Sequence, residues 1–247
     1  ETDHNIHKDP NEWPTPDECE SSFPNPSGYG TGMEDGMISG GTMLDGCILL
    51  YENAHDKKAA DMARRIVSGM LGCAEAAKDE GFIPRALSPI DGKSHYIESS
   101  KDQFTLFVFG MHRYYNSSLC SEAEKIKIRD IAVKIAKRAE KNVNAENGYD
   151  ILCENGAKTI NAQMWGDSLG NHEYLRLPMI YLFAWEVSGI KHFLDLYTAL
   201  REEAINRSLP MTSYWHLYAV HQMQLSARLC YCLLYTSPSP RDMRRSR

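Results

Sequence analysis

The chain has 247 residues, of which 43% are hydrophobic and 24% charged, an ordinary balance for a globular domain. Its 27 basic and 33 acidic side chains give a net charge of −6, which argues against a nucleic-acid partner, because binding phosphates needs a basic face. No apolar stretch approaches the ~20 residues that cross a bilayer, so we expect no membrane span.

Residues 1–32 are rich in Pro, Gly, Asn and Asp, which predicts an extended lead-in. Apolar residues then recur at helical spacing, which predicts seven helices. These cover about residues 35–53, 57–79, 100–115, 121–141, 177–188, 191–207 and 211–231. Two long polar loops, at 82–99 and 142–170, separate the helices.

The seven helices alternate in character. The first, third, fifth and seventh are apolar and rich in glycine or aromatic residues, whereas the second, fourth and sixth carry charge along one face. No comparable stretch alternates as a strand does. We therefore predict an all-α fold, an (α/α) toroid of antiparallel helical hairpins with the apolar helices inside. The domain at 33–231 would be incomplete, with about seven helices of an expected twelve.

The last residues differ in composition from the helix before them. The segment Cys232–Asp242 (CLLYTSPSPRD) resembles the translation of a common sequencing-library adapter. We therefore expect residues 232–247 to be a non-native tail and the natural coding sequence to end near Cys230 or Tyr231. The alternative is a natural basic tail.

Two segments resemble the six-hairpin glycosidase superfamily. They are Tyr29–Glu52 (YGTGMEDGMISGGTMLDGCILLYE) and Glu98–Tyr115 (ESSKDQFTLFVFGMHRYY). The most specific element is Ser-x-Asp-Gln at the start of a helix, followed by Gly-x-x-Arg-Tyr, and the resemblance extends over about residues 28–230. The superfamily includes unsaturated glucuronyl and rhamnogalacturonyl hydrolases and the toroid domains of polysaccharide lyases.

The resemblance implies a carbohydrate-active enzyme that hydrolyses glycosidic bonds of an oligo- or polysaccharide, which could contain uronates. It also favours a periplasmic or extracellular location and places the sugar in a cleft at one mouth of the ring. A polysaccharide lyase, a sugar epimerase and a non-catalytic glycan-binding protein stay open as alternatives, because one fold serves many activities.

Three loop-to-helix junctions carry candidate catalytic side chains. They are Glu34-Asp35, Asp102-Gln103 and Asn171-His172-Glu173. Hydrolysis of a glycosidic bond needs two carboxyl groups, one that protonates the leaving oxygen and one that activates water or attacks carbon. Because the apolar helices would converge in a ring, we expect Asp35 and Asp102 to form the catalytic pair, with Glu173 as the next candidate.

We expect Asp102 to be the general acid, since desolvation beside Phe104 would raise its pKa. Asp35, which lies among glycines, would position or deprotonate water. Each carboxylate also has a structural alternative, because acidic side chains in a first turn stabilise a helix by ~0.3–1 kcal/mol through its dipole. Asp45 lies in mid-helix, where a buried structural hydrogen bond is expected.

Substrate binding is expected from the two long loops and from the neighbours of the carboxylates. Sugar faces stack on aromatic rings, and a uronate carboxylate suits a guanidinium group. The predicted binding residues are Glu34, Arg85, Tyr96, Gln103, Tyr149, Trp165, Asn171 and His172. A lyase would use Arg85, Tyr96, Asn171 and His172 instead. No histidine has metal-site spacing, so we predict no catalytic metal and no cofactor, with calcium in the loops left open.

Overall fold

The computed structural model describes residues 12–210 and 216–236, of which 232–236 are described by their backbone alone. The described residues form eight α-helices and one 3₁₀ turn at Asn171–Glu173. The helices are α1 (Pro16–Glu20), α2 (Gly36–Ala54), α3 (Lys57–Ala76), α4 (Lys101–Tyr115), α5 (Glu122–Asn142), α6 (Arg176–Ser188), α7 (Lys191–Ser208) and α8 (Leu217–Thr236). The predicted all-α class is confirmed. Within these ranges no helix is both long and apolar enough to cross a membrane.

Most helix boundaries lie within two residues of the predicted ones. The capping box predicted for the fourth helix is present, since Ser121 caps α5 and Glu124 bonds back to it. Ser100 is the N-cap residue of α4, but its side chain makes no capping hydrogen bond. Residues 211–215 of the seventh predicted helix lie outside the described residues, as do residues 237–247 of the adapter-like tail.

Two local predictions are wrong. The lead-in is not extended throughout, because α1 forms there with a capping box between Thr15 and Glu18. The second predicted helix ends at Ala76 rather than near residue 79. The C-cap residue Ala77 is extended, and the N–H of Lys78 donates to the carboxylate of Glu154 at 2.6 Å instead of to a helix carbonyl oxygen.

The apolar helices α2, α4 and α6 run parallel in one layer. Near their starts, the N–H of Met37 in α2 donates to Gln103 of α4 at 3.1 Å. Farther along the same two helices, Arg113 of α4 donates to Asp45 of α2 at 2.5 Å, which is the structural bond expected for Asp45. Helices α3, α5 and α7 return outside this layer, where α3 contacts α2 and α5, and α7 contacts α6.

Helix α8 runs parallel to α4 as well. The hydroxyl of Tyr218 reaches Asp102 near both helix starts, and Leu225 packs with Leu106 and Phe109 farther on. In a wide ring α8 would contact only its neighbour α6, but it contacts both α4 and α6. The hairpin layers are therefore observed, whereas their closure into a toroid stays a prediction.

Helices α2 and α4 approach closely through glycines. A Cβ at Gly41 would overlap the carbonyl oxygen of Leu106, and one at Gly110 would lie 3.0 Å from the Cα of Gly41. Gly36 likewise lies against the backbone of Arg85. The small residues of the first predicted helix therefore allow the close approach, except for Gly46, which has no neighbour within 4 Å of its Cβ position.

This contrast predicts opposite effects of alanine along one helix. We expect Gly41→Ala to lower the free energy of unfolding by about 1–3 kcal/mol, because it overpacks the interface between α2 and α4. Gly46→Ala, in the same helix but with open space around it, should raise stability by up to about 1 kcal/mol. Urea denaturation of both variants measures this difference. Equal effects would contradict the close helix contact.

Candidate active site

The predicted carboxylates lie at one end of the helix layer. Because α2, α4, α6 and α8 are parallel, their N-termini share this end, and the loops that precede them carry the candidate residues. Helix N-termini favour negative charge through the backbone dipole. Because these helices run in the same direction, the candidate carboxylates all lie where the helix dipoles stabilise negative charge.

Asp102 is held by two donors from other helices. Arg176, which is fully buried, donates to Oδ1, and the hydroxyl of Tyr218 donates to Oδ2 at 2.6 Å. Burial of Asp102 raises its pKa, but the charge of Arg176 and these hydrogen bonds outweigh burial, and the net shift is downward. The expected rise in the pKa of Asp102 is therefore wrong, because desolvation is overcompensated by a buried cation.

Asp35 is more exposed than Asp102, and its pKa is shifted in the opposite direction. Its side chain is 50% exposed, accepts a hydrogen bond from Gln103 at 3.2 Å and lies 3.9 Å from Arg85. Its pKa is raised, first by partial burial, against the lowering effect of Arg85, and further by the negative charges of Glu34 and Asp102. Gln103, the residue next to Asp102, donates to Asp35, so the two predicted catalytic carboxylates lie at neighbouring helix starts.

Gln103 orients the start of α2. Its Oε1 accepts from the N–H of Met37, and its Nε2 donates to the carbonyl oxygen of Glu34 at 3.0 Å as well as to Asp35. The side chain is fully buried, so it positions Asp35 rather than contacting a sugar. Glu34 beside it is half-buried, with an Oε2 atom that has no hydrogen-bond partner.

Glu173 lies in the 3₁₀ turn and forms an ion pair with Lys101. Its Oε2 accepts the N–H of Gly170 at 3.0 Å, so the carboxylate holds the turn. Asn171 donates to the carbonyl oxygen of Arg207 at 2.7 Å, and His172 is half-buried beside Glu173, where burial lowers its pKa. This geometry favours a structural role for Glu173 rather than the predicted catalytic one.

Arg85 is engaged by the protein itself. The side chain is 4% exposed, its Nη1 donates to the carbonyl oxygen of Glu34 at 3.1 Å, and its Nε donates to that of Glu98 at 3.3 Å. Its guanidinium also lies 4.9 Å from the ring centre of Tyr29. This geometry favours a structural role for Arg85 rather than the predicted binding of a uronate.

Three aromatic side chains were predicted to stack on a sugar. The prediction is wrong for one of them, and the other two are partly exposed. Tyr96 is buried and donates to the carbonyl oxygen of Phe23 at 2.6 Å, so its ring cannot stack on a sugar. Trp165 meets Tyr174 edge-on with ring centres 5.7 Å apart, and Tyr149 lies against Gly166. Tyr149 and Trp165 both lie in the second long loop and are partly exposed.

Three further charged or polar residues lie at this end and were not predicted from the sequence: Lys101, Arg176 and Tyr218. Arg176 had a recognisable signal, because it is the one cation at the start of an otherwise apolar helix. Tyr218 had none, since its partner Asp102 lies 116 residues away in the chain.

The residues that the structure describes include no group of three or more His, Cys, Asp or Glu side chains arranged to hold a metal ion. Comparisons of the chain with protein-family models, with curated proteins and with solved structures gave no match. The resemblance to six-hairpin glycosidases therefore stays a prediction from the motifs.

Proposed function

We propose that the chain is a carbohydrate-active hydrolase in which Asp35 and Asp102 act as the carboxyl pair. One observation carries this proposal: two carboxyl groups lie at the N-termini of neighbouring parallel helices, and their surroundings move their pKa values in opposite directions. Carboxyl pairs with separated pKa values are typical of acid–base catalysis by glycosidases.

The direction of each shift assigns the roles. Asp35, with the raised pKa and the exposed side chain, is the general acid that protonates the leaving oxygen. Asp102, with the lowered pKa, stays ionised and either activates water or attacks the anomeric carbon. These roles are the reverse of those expected from the sequence, because the sequence did not reveal the contact between Asp102 and Arg176.

The cations near Asp35 and Asp102 indicate whether the site suits a charged or an uncharged substrate. Arg176 is paired with Asp102, Lys101 with Glu173, and Arg85 is bonded to backbone carbonyl oxygens. A uronate carboxylate would have to compete with these internal partners. We therefore propose an uncharged glycan as the preferred substrate, with the partly exposed rings of Tyr149 and Trp165 as candidates on which a sugar ring stacks.

A second candidate function is glycan binding without catalysis. Both oxygens of Asp102 already accept hydrogen bonds, which favours a structural junction between α4, α6 and α8. Glycan binding by calorimetry that survives loss of both Asp35 and Asp102, in a chain without turnover, would support this candidate. The lyase alternative is disfavoured, because Arg85, Tyr96 and Asn171 are engaged within the protein.

The proposed reaction is tested by product analysis on plant, algal and host-type polysaccharides. A hydrolase releases new reducing ends without ultraviolet absorbance, whereas a lyase creates a C=C bond that absorbs. Interconversion of sugars without chain cleavage would indicate an epimerase. Release of reducing ends with an absorbing product would overturn the hydrolase proposal.

The contact between Tyr218 and Asp102 gives a further prediction. Tyr218→Phe removes a hydrogen bond to the ionised carboxylate, so the pKa of Asp102 should rise. The acid limb of the kcat/KM profile should then move to higher pH, while kcat at the optimum changes little. Tyr231→Phe, farther along the same helix, is the matched control. An unmoved acid limb in Tyr218→Phe would show that Tyr218 does not position Asp102.

A further inference from the structure

A buried imidazole–carboxylate pair joins the two long loops. The Nε2 atom of His95 lies 3.1 Å from both carboxylate oxygens of Glu154, and its Nδ1 atom lies 3.0 Å from the carbonyl oxygen of Lys93. The two side chains are 4% and 6% exposed. This pair lies outside the proposed catalytic residues and has no part in the proposed reaction.

The geometry requires a charged imidazole. Each ring nitrogen of His95 faces an oxygen acceptor, whereas a neutral imidazole has only one N–H to donate. In the neutral form, one nitrogen lone pair would therefore point at an oxygen atom inside the protein. With Glu154 ionised, only the imidazolium form satisfies both contacts.

The surroundings of His95 both raise and lower its pKa. Burial opposes the positive charge and Lys78 repels it, but the bonds to Glu154 and Lys93 outweigh them, so the pKa of His95 is raised. The same contacts lower the pKa of Glu154. A cavity of about 220 Å³ adjoins the pair, and the side chains of Lys93 from the loop and of Cys19 and Glu20 from α1 line it.

The pair holds three separate segments. Glu154 accepts the N–H of Lys78 just beyond α3, and its own N–H donates to the carbonyl oxygen of Ile97 at 2.9 Å. His95 belongs to the loop that carries Arg85, and Glu154 belongs to the loop that carries Tyr149 and Trp165. Release of the imidazole contact would therefore loosen both loops at once.

We propose that His95 and Glu154 form a pH-sensitive clamp, which holds the two loops together while the imidazole carries its proton and releases them when the proton is lost. Because the folded-state pKa of His95 is raised, its contribution to stability is complete below the unfolded pKa of about 6.5 and is lost as pH rises through the folded pKa. The folded-state pKa of Glu154 is lowered. Its contribution to stability is therefore complete above the unfolded pKa of about 4.3 and is lost as pH falls through the folded pKa.

The clamp is tested by NMR titration of the imidazoles in the full chain, together with hydrogen exchange at the amide of Lys78. His95 should titrate above the value of about 6.5 of a free imidazole. His192, whose pair with Glu140 is exposed, is the matched residue for the variants. After correction for intrinsic rates, we expect the protection of the Lys78 amide to fall about tenfold as His95 loses its proton, an ordinary size for two coupled equilibria.

Variants separate the clamp from general effects of pH. In His95→Gln the protection of the Lys78 amide should be low at all pH values, whereas in His192→Gln it should follow the parent chain. If His95→Gln does not fold, Glu154→Gln and the titration of the unmodified chain provide the same test. A His95 that titrates below about 6.5, or protection of Lys78 that does not change with pH, would overturn the proposal.

Discussion

Asp35→Asn is expected to reduce turnover by about 10²- to 10⁴-fold, the usual contribution of a positioned general acid. Its stability should change little, because the side chain is half-exposed and makes no capping hydrogen bond to α2. The measurement combines kcat/KM on the cleaved glycan with urea denaturation. A loss of activity at constant stability would assign a chemical role to this carboxyl group.

The matched control for this variant is Asp61→Asn. Asp61 is 77% exposed on the outer helix α3, where its ion pair with Arg64 is on the surface. Surface pairs contribute about 0–1 kcal/mol, so neither turnover nor stability should change appreciably. Asp35→Asn with turnover equal to that of the control would remove Asp35 from the proposed mechanism.

The largest effect on stability is expected at Asp102. Asp102→Asn leaves the guanidinium of Arg176 buried without its counter-ion, and breaking such a pair costs about 3–5 kcal/mol. The double variant with Arg176→Met removes the buried charge as well and should recover much of that loss, while turnover stays lost in both. Urea denaturation of the single and double variants measures the difference.

The pH dependence of stability gives an independent check of this pair. Since the folded-state pKa of Asp102 is lowered, its contribution is present above the unfolded value of about 3.9 and is lost as pH falls through the folded pKa. The stability difference between the parent chain and the double variant should therefore shrink in acid. Equal stabilities of the single and double variants at neutral pH would show that the ion pair does not hold this junction.

The helices could be predicted because their signals are local. Apolar residues at helical spacing and the capping box at Ser121 belong to single segments of the chain. The end of α3 could not be predicted, since the carboxylate that bonds Lys78 comes from residue 154, 76 positions away. The contact of α8 with α4 could not be predicted either, because it depends on packing between segments far apart in sequence.

The candidate site was predictable in its position but not in its chemistry. Acidic residues at helix starts located Asp35 and Asp102. The sign of the pKa shift of Asp102 depends on Arg176, which is 74 residues away, and loop composition gave no indication of that contact. Arg85 and Tyr96 were expected to bind substrate because they lie in a long loop, but the lead-in contacts them through Tyr29 and Phe23.

The most direct test of the proposed carboxyl pair is the pH dependence of reducing-end release from the polysaccharide panel. The proposal predicts a bell-shaped kcat/KM profile with its maximum on the acid side of neutrality. Activity should fall at low pH as Asp102 is protonated and at high pH as Asp35 loses its proton, and Asp35→Asn should lack the second limb. A profile whose limbs are unchanged in Asp35→Asn, or no cleavage of any glycan at any pH, would contradict the account.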